Sequence, residues 1–380
     1  MLLHFLFDLG SREDLLRKNE FRLASFYERI AEFDKAAALF SSYYETYPDA
    51  KDAPDALYNA GLHYQGLGEL DTAISKYQTY VTDLDAKDEL DVYWTICQLH
   101  ENKKDWKAAA QCFNDVRTKY KKASQAKVFE SRYRYALALE KLGKGKDATK
   151  EYQWLVKAYP KLDAKDKKAS GAQLAGAHAQ FELLEPELDA FLAKKITRLS
   201  KKALFGKLEG AEELACASEK CKKRGKLLSV LDYGNGDYGI CALTRVGQVY
   251  RNVADTIRGA PTPRNLDFEQ QEMYRAELDS LALGPETKGL EAFESALQKA
   301  YELNIYNDCT LTAQANLKEL NPNMFPELQK RGFRGAEGFI TAGPMTGIEV
   351  AEVAPAATTP GAETLQETSA EAEASAGASE

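Results

Sequence analysis

Tyr135-Ala-Leu-Ala-Leu-Glu-Lys-Leu-Gly-Lys-Gly-Lys-Asp-Ala148-Thr-Lys-Glu-Tyr152 decides how the chain folds. Tyr135, Ala136 and Leu139 recur at helical spacing on one face. Leu142-Gly143 interrupts that helix, since glycine readily takes the positive φ at a helix end. A second helix then places Ala148 one turn before Tyr152, and Pro160 stops it. A small residue on each helix lets the two backbones approach, and the aromatic fills the wedge between them.

The pattern occurs four times. The first unit has Leu23, Ala24, Tyr27, Ala36 and Phe40, closed by Pro48. The second has Ala60, Gly61, Tyr64, Leu67, Gly68, Ala73 and Tyr77. The third has Ile96, Cys97, His100, Ala109 and Phe113, with no closing proline, and the fourth is the quoted one. The alanines at 36, 73, 109 and 148 are 37, 36 and 39 residues apart. Self-similarity at such a period marks stacked helix pairs.

Over residues 17–162 this resembles the tetratricopeptide repeat family. The family unit is about 34 residues, so the longer spacings place extra residues in the turns between units. The expected fold is all-α, a helix-turn-helix solenoid. The resemblance implies a protein-interaction scaffold whose partners, proteins or peptides, lie in a concave groove lined by the first helices. Residues 1–16 read as the remnant helix of an upstream unit, because Leu2–Leu9 looks like the second half of a repeat. The alternative is a plain cytoplasmic N-terminus, since Met1–Asp8 is too short for a secretory signal and lacks a basic leader. The chain as it stands therefore reads as cytoplasmic, and a truncated one as periplasmic or outer-membrane-associated.

Of the 58 acidic residues, seven glutamates fall at 349–380, where no Lys or Arg stands, so the body is close to neutral. That balance gives no support for nucleic-acid binding. No apolar run approaches the ~20 residues that span a bilayer. Six cysteines occur, at 97, 112, 216, 221, 241 and 309, without a C-x-x-C pair or a histidine at ligand spacing. They read as small, buried, reduced thiols, a disulfide framework belonging to an exported protein. No metal site is expected.

Beyond Asp163 the period loosens, and 163–330 reads as a diverged continuation of the helical array. Residues 164–170 form a Lys/Asp-rich connection, Pro186 a break, and 259–265 a surface loop. Helices are expected at 172–191, 196–226, 238–258, 268–281, 286–304 and 309–320. Val246-Gly247-x-x-Tyr250 looks like a first helix, and Ala292-Phe293 through Ala300 like a second. Residues 331–380, rich in Ala, Glu, Thr and Ser, cannot bury enough apolar area to offset chain entropy and are expected to be disordered. The run from Tyr233 through Arg245, Ala260-Pro-x-Pro263, Tyr274 and Ala300-Tyr-Glu-Leu303 to Phe325-Pro326 is similar to large envelope repeat proteins of deltaproteobacteria, among them parts of the myxobacterial gliding-motility machinery. That likeness implies a scaffold at the cell envelope.

Leu228-Ser-Val-Leu-Asp232 followed by Gly234-Asn-Gly236-Asp-Tyr-Gly239 has the form of a strand and a G-x-G-x-x-G loop, and is similar to the opening of S-adenosylmethionine-dependent methyltransferases. A cofactor-binding enzyme, for S-adenosylmethionine or a dinucleotide, is thus the alternative at 228–239. Such chemistry needs a parallel sheet, and the flanks show helical period with no βα alternation. The segment is expected to be a helix ending at Tyr233, a turn, and a new helix from about Tyr238. The histidines at 4, 63, 100 and 178 are scattered. His100 reads as a core residue and His63 as an exposed one, and no catalytic or cofactor residue is assigned.

Two residues before each unit's first core residue stand Phe21, Tyr58, Trp94 and Tyr133. One and two turns on, the same face carries Glu28, Gln65, Gln98, Glu101 and Glu140, with Leu62 and Leu137 between them. An aromatic ladder interleaved with carboxylates suits an extended or helical peptide with apolar anchors and some positive charge. Trp94 is the expected exposed anchor. The competing expectation is that the aromatics only pack within the array.

Overall fold

The computed structural model describes residues 2–84, 88–120, 123–196, 200–216 and 223–325. The expected tail at 331–380 lies outside the described residues. Helices α1 (Leu2–Arg29), α2 (Phe33–Thr46), α3 (Ala53–Gly66), α4 (Leu70–Asp83), α5 (Glu89–Asn102), α6 (Trp106–Lys119), α7 (Gln125–Lys141) and α8 (Gly145–Ala158) form successive pairs, each helix lying against the next. The short α9 (Ala164–Lys167) leads to α10 (Ser170–Ala193), α11 (Lys201–Ala215), a 3-10 segment (Lys226–Tyr233), α12 (Gly236–Arg258), α13 (Phe268–Leu303) and α14 (Asp308–Leu320). Among the described residues there is no strand.

The turn inside each pair is one repeated device. Ala31, Gly68, Lys104 and Gly143 take φ of 60, 81, 59 and 73°, at the same 37, 36 and 39 spacings as the alanines. After each, the next amide reaches back five residues: Glu32 to Tyr27, Glu69 to Tyr64, Asp105 to His100 and Lys144 to Leu139, all 2.9 Å. This 6→1 bond satisfies carbonyls that a helix end would leave unpaired. The sequence shows two of the four as glycine; Ala31 and Lys104 hold a conformation that costs an L-residue roughly 1 kcal/mol.

The wedge is equally regular. A Cβ on Gly61 would stand 2.7 Å from the Tyr77 ring, so only glycine admits that ring. Ala24, Ala36, Phe40, Cys97, Ala109, Phe113, Ala136 and Ala148 are fully buried at the matching places. Truncating such an aromatic costs about 3–5 kcal/mol. The same contact joins α12 to α13, where a Cβ on Gly247 would meet the fully buried Phe293 at 2.5 Å.

Several expectations change. α1 is unbroken from Leu2 to Arg29, where the sequence suggested a boundary at 16/17. α10 runs through Pro186 and α13 through Pro285, so the helices expected at 268–281 and 286–304 are one. Proline costs a helix interior about 3 kcal/mol; buried Leu278, Ala282, Gly289 and Ala292 around Pro285, and Leu184 and Leu188 around Pro186, offset it. Of the helix expected at 196–226, the described residues show α11. Fully buried Lys207 of α11 donates from Nζ to the carbonyls of Phe191 and Lys194, both 2.9 Å, and so caps the end of α10.

Contrary to expectation, no cysteine is free among the described residues. Cys97 and Cys112 join α5 to α6, Cys241 and Cys309 join α12 to α14, and Cys216 is also disulfide-bonded. Cys97 holds the small slot of the third first-helix, and Cys112 precedes the wedge residue Phe113, so close packing of α5 on α6 brings that pair together.

Candidate interaction surface

The four ladder aromatics occupy equivalent places, but most of their surface is spent inside the array. Phe21 is half-buried, edge-on to Phe40 and Tyr43 of α2 at 5.4 and 5.3 Å. Trp94 is only 6% exposed. Its ring meets Phe113 of α6 edge-on at 5.3 Å, and Nζ of Lys127 from α7 sits 4.0 Å over it. Trp94 is therefore a seam residue and not an exposed anchor. Tyr133 is equally buried, edge-on to His178 of α10 at 5.1 Å. Tyr58 alone of the four is exposed, at 37%, beside Tyr77 and Tyr80 of α4. Phe21, Tyr58 and Trp94 face the second helix of their own unit, whereas Tyr133 meets α10.

The polar members divide likewise. Glu101 is held by Arg134 at 2.7 Å, and Arg134 also takes Glu130 at 3.0 Å, so this part of the surface is internally neutralised. Burial pushes the Glu101 carboxyl up despite the arginine. Gln65 accepts from the Tyr77 hydroxyl at 3.2 Å. Glu28 lies 3.7 Å from Nε2 of His63. Contrary to expectation His63 is buried, stacked on Phe33 and Phe40 of α2. His100 is half-buried, which depresses its pKa. Gln98 is half-buried and Glu140 exposed. What the first-helix face offers outward is Tyr58 and Leu62, an apolar pair one turn apart on α3, rimmed by Glu28 and Gln65, with Glu140 further along.

Arg134 and Lys127 were not singled out in the sequence, although they neutralise this face. The signal was an arginine at a slot that Arg22, Asn59 and Thr95 hold in the other units. A further cluster was missed: His178 sits among Tyr133, Tyr152 and Tyr238, ring centroids 5.0–5.4 Å away, with Glu182 3.5 Å from its Nε2. Burial lowers the His178 pKa to about 4 and raises Glu182, which Glu140 and Glu185 push further the same way.

The Gly-rich segment has no sheet under it. Leu228–Asp232 lies in the 3-10 segment, Gly234 ends it at φ 72°, and Asn235 caps α12 by accepting from the Tyr238 amide. A Cβ on Gly236 would strike Ile305 and Leu303, so close packing explains that glycine without a phosphate. The cofactor reading of 228–239 lacks the strand end its chemistry requires. Among the described residues no group of His, Cys, Asp or Glu is placed to hold a metal, and no helix is long and apolar enough to cross a membrane.

A family model for the tetratricopeptide repeat matches residues 19–50, which spans the end of α1, all of α2 and the turn after it. Comparison with curated proteins returns no match. Among solved structures, the chain is similar to a tetratricopeptide repeat protein from Parabacteroides merdae ATCC 43184 at 11% identity and a TM-score of 0.36, over 80% of this chain and 98% of that one. Residues 19–50 are thus similar to a tetratricopeptide repeat, and the turn of that unit recurs at the same spacings through α8.

Proposed function

We propose that the chain is a non-enzymatic scaffold that takes a partner polypeptide on its first-helix face, around Tyr58 and Leu62. The observation that carries this is their exposure side by side on α3, where the equivalent surface of α5 and α7 is closed by Trp94, Lys127 and Arg134. An apolar centre with Glu28 and Gln65 at its margin, and Glu140 two units further along, favours an extended or helical segment with apolar anchors and some positive charge. Phe21, Trp94, Tyr133, Gln98 and Glu101 stiffen the floor beneath the partner.

We place the scaffold in an oxidising compartment, at the cell envelope. The two disulfides between α5 and α6 and between α12 and α14 support this, since such bonds persist where thiols are not kept reduced. The test uses the full chain, immobilised beside its Tyr58→Ala/Leu62→Glu variant. Partner proteins retained by the wild type and lost by the variant support the reading. Equal retention by both overturns it and favours a spacer that only sets distance.

A further inference from the structure

A cavity of about 220 Å³ opens between α12, α13 and the end of α11. Its origin is in the packing. α11 and the 3-10 segment rest on α12, and so does α13, but α13 barely touches the other two. A cleft is left where they diverge. One wall is Cys216 at the end of α11 with Leu228 of the 3-10 segment. The floor is Val246 and Tyr250 of α12, and Ala292 of α13 closes the far side. All five are buried. The rim differs. Lys288, Glu291 and Ser295 stand along it at i, i+3 and i+7 of α13, and all three are exposed. Nζ of Lys288 leans over the Tyr250 ring, 5.2 Å from its centroid. Among the described residues neither the Lys288 ammonium nor the Glu291 carboxylate has an ion-pair partner. They do not neutralise each other, since lysine before glutamate is the weaker order on a helix.

We propose that this cavity binds a small apolar zwitterion, an α-amino acid with an aliphatic or aromatic side chain. The floor takes the side chain, the Lys288 ammonium takes the carboxylate, and the Glu291 carboxylate takes the ammonium. The cavity is smaller than the roughly 300–1,000 Å³ of sites for drug-sized ligands, which limits the occupant to a few heavy atoms. The floor is apolar, so a ligand without a side chain gains nothing from it. The two rim charges are opposite in sign and one turn apart, about 5–6 Å between Cβ atoms. A ligand that answers both carries an ammonium and a carboxylate close together, as an α-amino acid does on one carbon. The interior of a peptide carries neither charge, and a chain terminus carries only one. The apolar walls below the rim lower the local dielectric and strengthen both pairings. The site shares no residue with the first-helix face of the proposed function, so either reading can fail alone.

Calorimetric titration of the full chain with L-leucine and with L-phenylalanine is expected to show saturable one-to-one binding of at least one of them. Glycine, which lacks the side chain, should bind at least about ten-fold more weakly. The N-acetyl and amide derivatives of the tighter amino acid, each lacking one charge, should lose about ten-fold or more, the size of one charged hydrogen bond. Lys288→Gln/Glu291→Gln should weaken binding by a similar factor. Ser295→Trp, which plugs the mouth from an exposed position, should abolish it. If circular dichroism shows one variant to be misfolded, the other carries the test. No binding of either amino acid overturns the proposal, as does unchanged affinity in the folded variants. An N-acetyl derivative that binds as tightly as its parent overturns it too, by leaving an apolar pocket indifferent to the rim charges.

Discussion

In the second unit the small residue and the aromatic that fills its gap, Gly61 and Tyr77, are 16 residues apart; in the α12–α13 pair their counterparts, Gly247 and Phe293, are 46 apart. The N-terminal pairs use helices of 14 to 17 residues after α1 and a one-residue αL hinge, while α12 and α13 run to 23 and 36 residues across a loop, with Pro285 inside the second. Helix length and turn are free to drift, because they only deliver two backbones to the same place. The close approach itself is not free, because burying an aromatic against a glycine-sized gap is where the stability resides.

Removing the wedge aromatic in each region puts that comparison at risk. Phe113→Ala and Phe293→Ala should each cost about 3–5 kcal/mol in urea unfolding. A much smaller loss for Phe293→Ala would mean that α12–α13 only resembles a repeat and is not held like one.

The junction between the regions makes the next largest prediction. His178 of α10 lies between Tyr133 and Tyr152 of the last N-terminal unit and Tyr238 of α12. Its folded pKa, about 4, lies below the unfolded value of 6.5 because burial disfavours the imidazolium. The unfolded chain thus binds more protons between those values. The stabilisation is fully present above pH 6.5 and is lost as pH falls towards 4, to a total of roughly 3 kcal/mol. Glu182 acts with the opposite sign, since its raised pKa costs stability as pH rises. The clean readout is therefore the wild type minus His178→Phe, measured at pH 7 and pH 4.5. A difference that does not change with pH would show that the histidine is not buried as described.

The smallest effect sharpens the comparison from the hinge side. Lys104→Gly should stabilise the third unit by roughly 0.5–1 kcal/mol, and Gly68→Ala should destabilise the second by about 1 kcal/mol. If both are neutral, the hinge conformation carries no strain and the turns are as interchangeable as the longer loop.

Much of this was legible in the residues because a seam constrains both partners at once. Ala36, Ala73, Ala109 and Ala148 had to stay small and the next-turn aromatics large, and that recurrence survives every change of surface. Periodicity assigns residues to a shared face, but it does not say which side of a two-sided helix the rest of the array covers. Trp94 was misjudged for that reason, and Leu23, which counted as core by pattern, is 45% exposed. The pairings Cys97–Cys112 and Cys241–Cys309 were out of reach, since separations of 15 and 68 residues become contacts only when the helices have docked. Pro186 and Pro285 looked like stops, and only tertiary burial keeps α10 and α13 whole.

Native-state hydrogen exchange, resolved by peptide, tests the repeated wedge most directly. The amides of 36–43, 73–80, 109–116, 148–155 and 293–300 should be among the slowest in the chain and similar to one another, with fast exchange around Ala31, Gly68, Lys104 and Gly143. Slow exchange concentrated at 228–239, with 293–300 as fast as the hinges, would contradict the account.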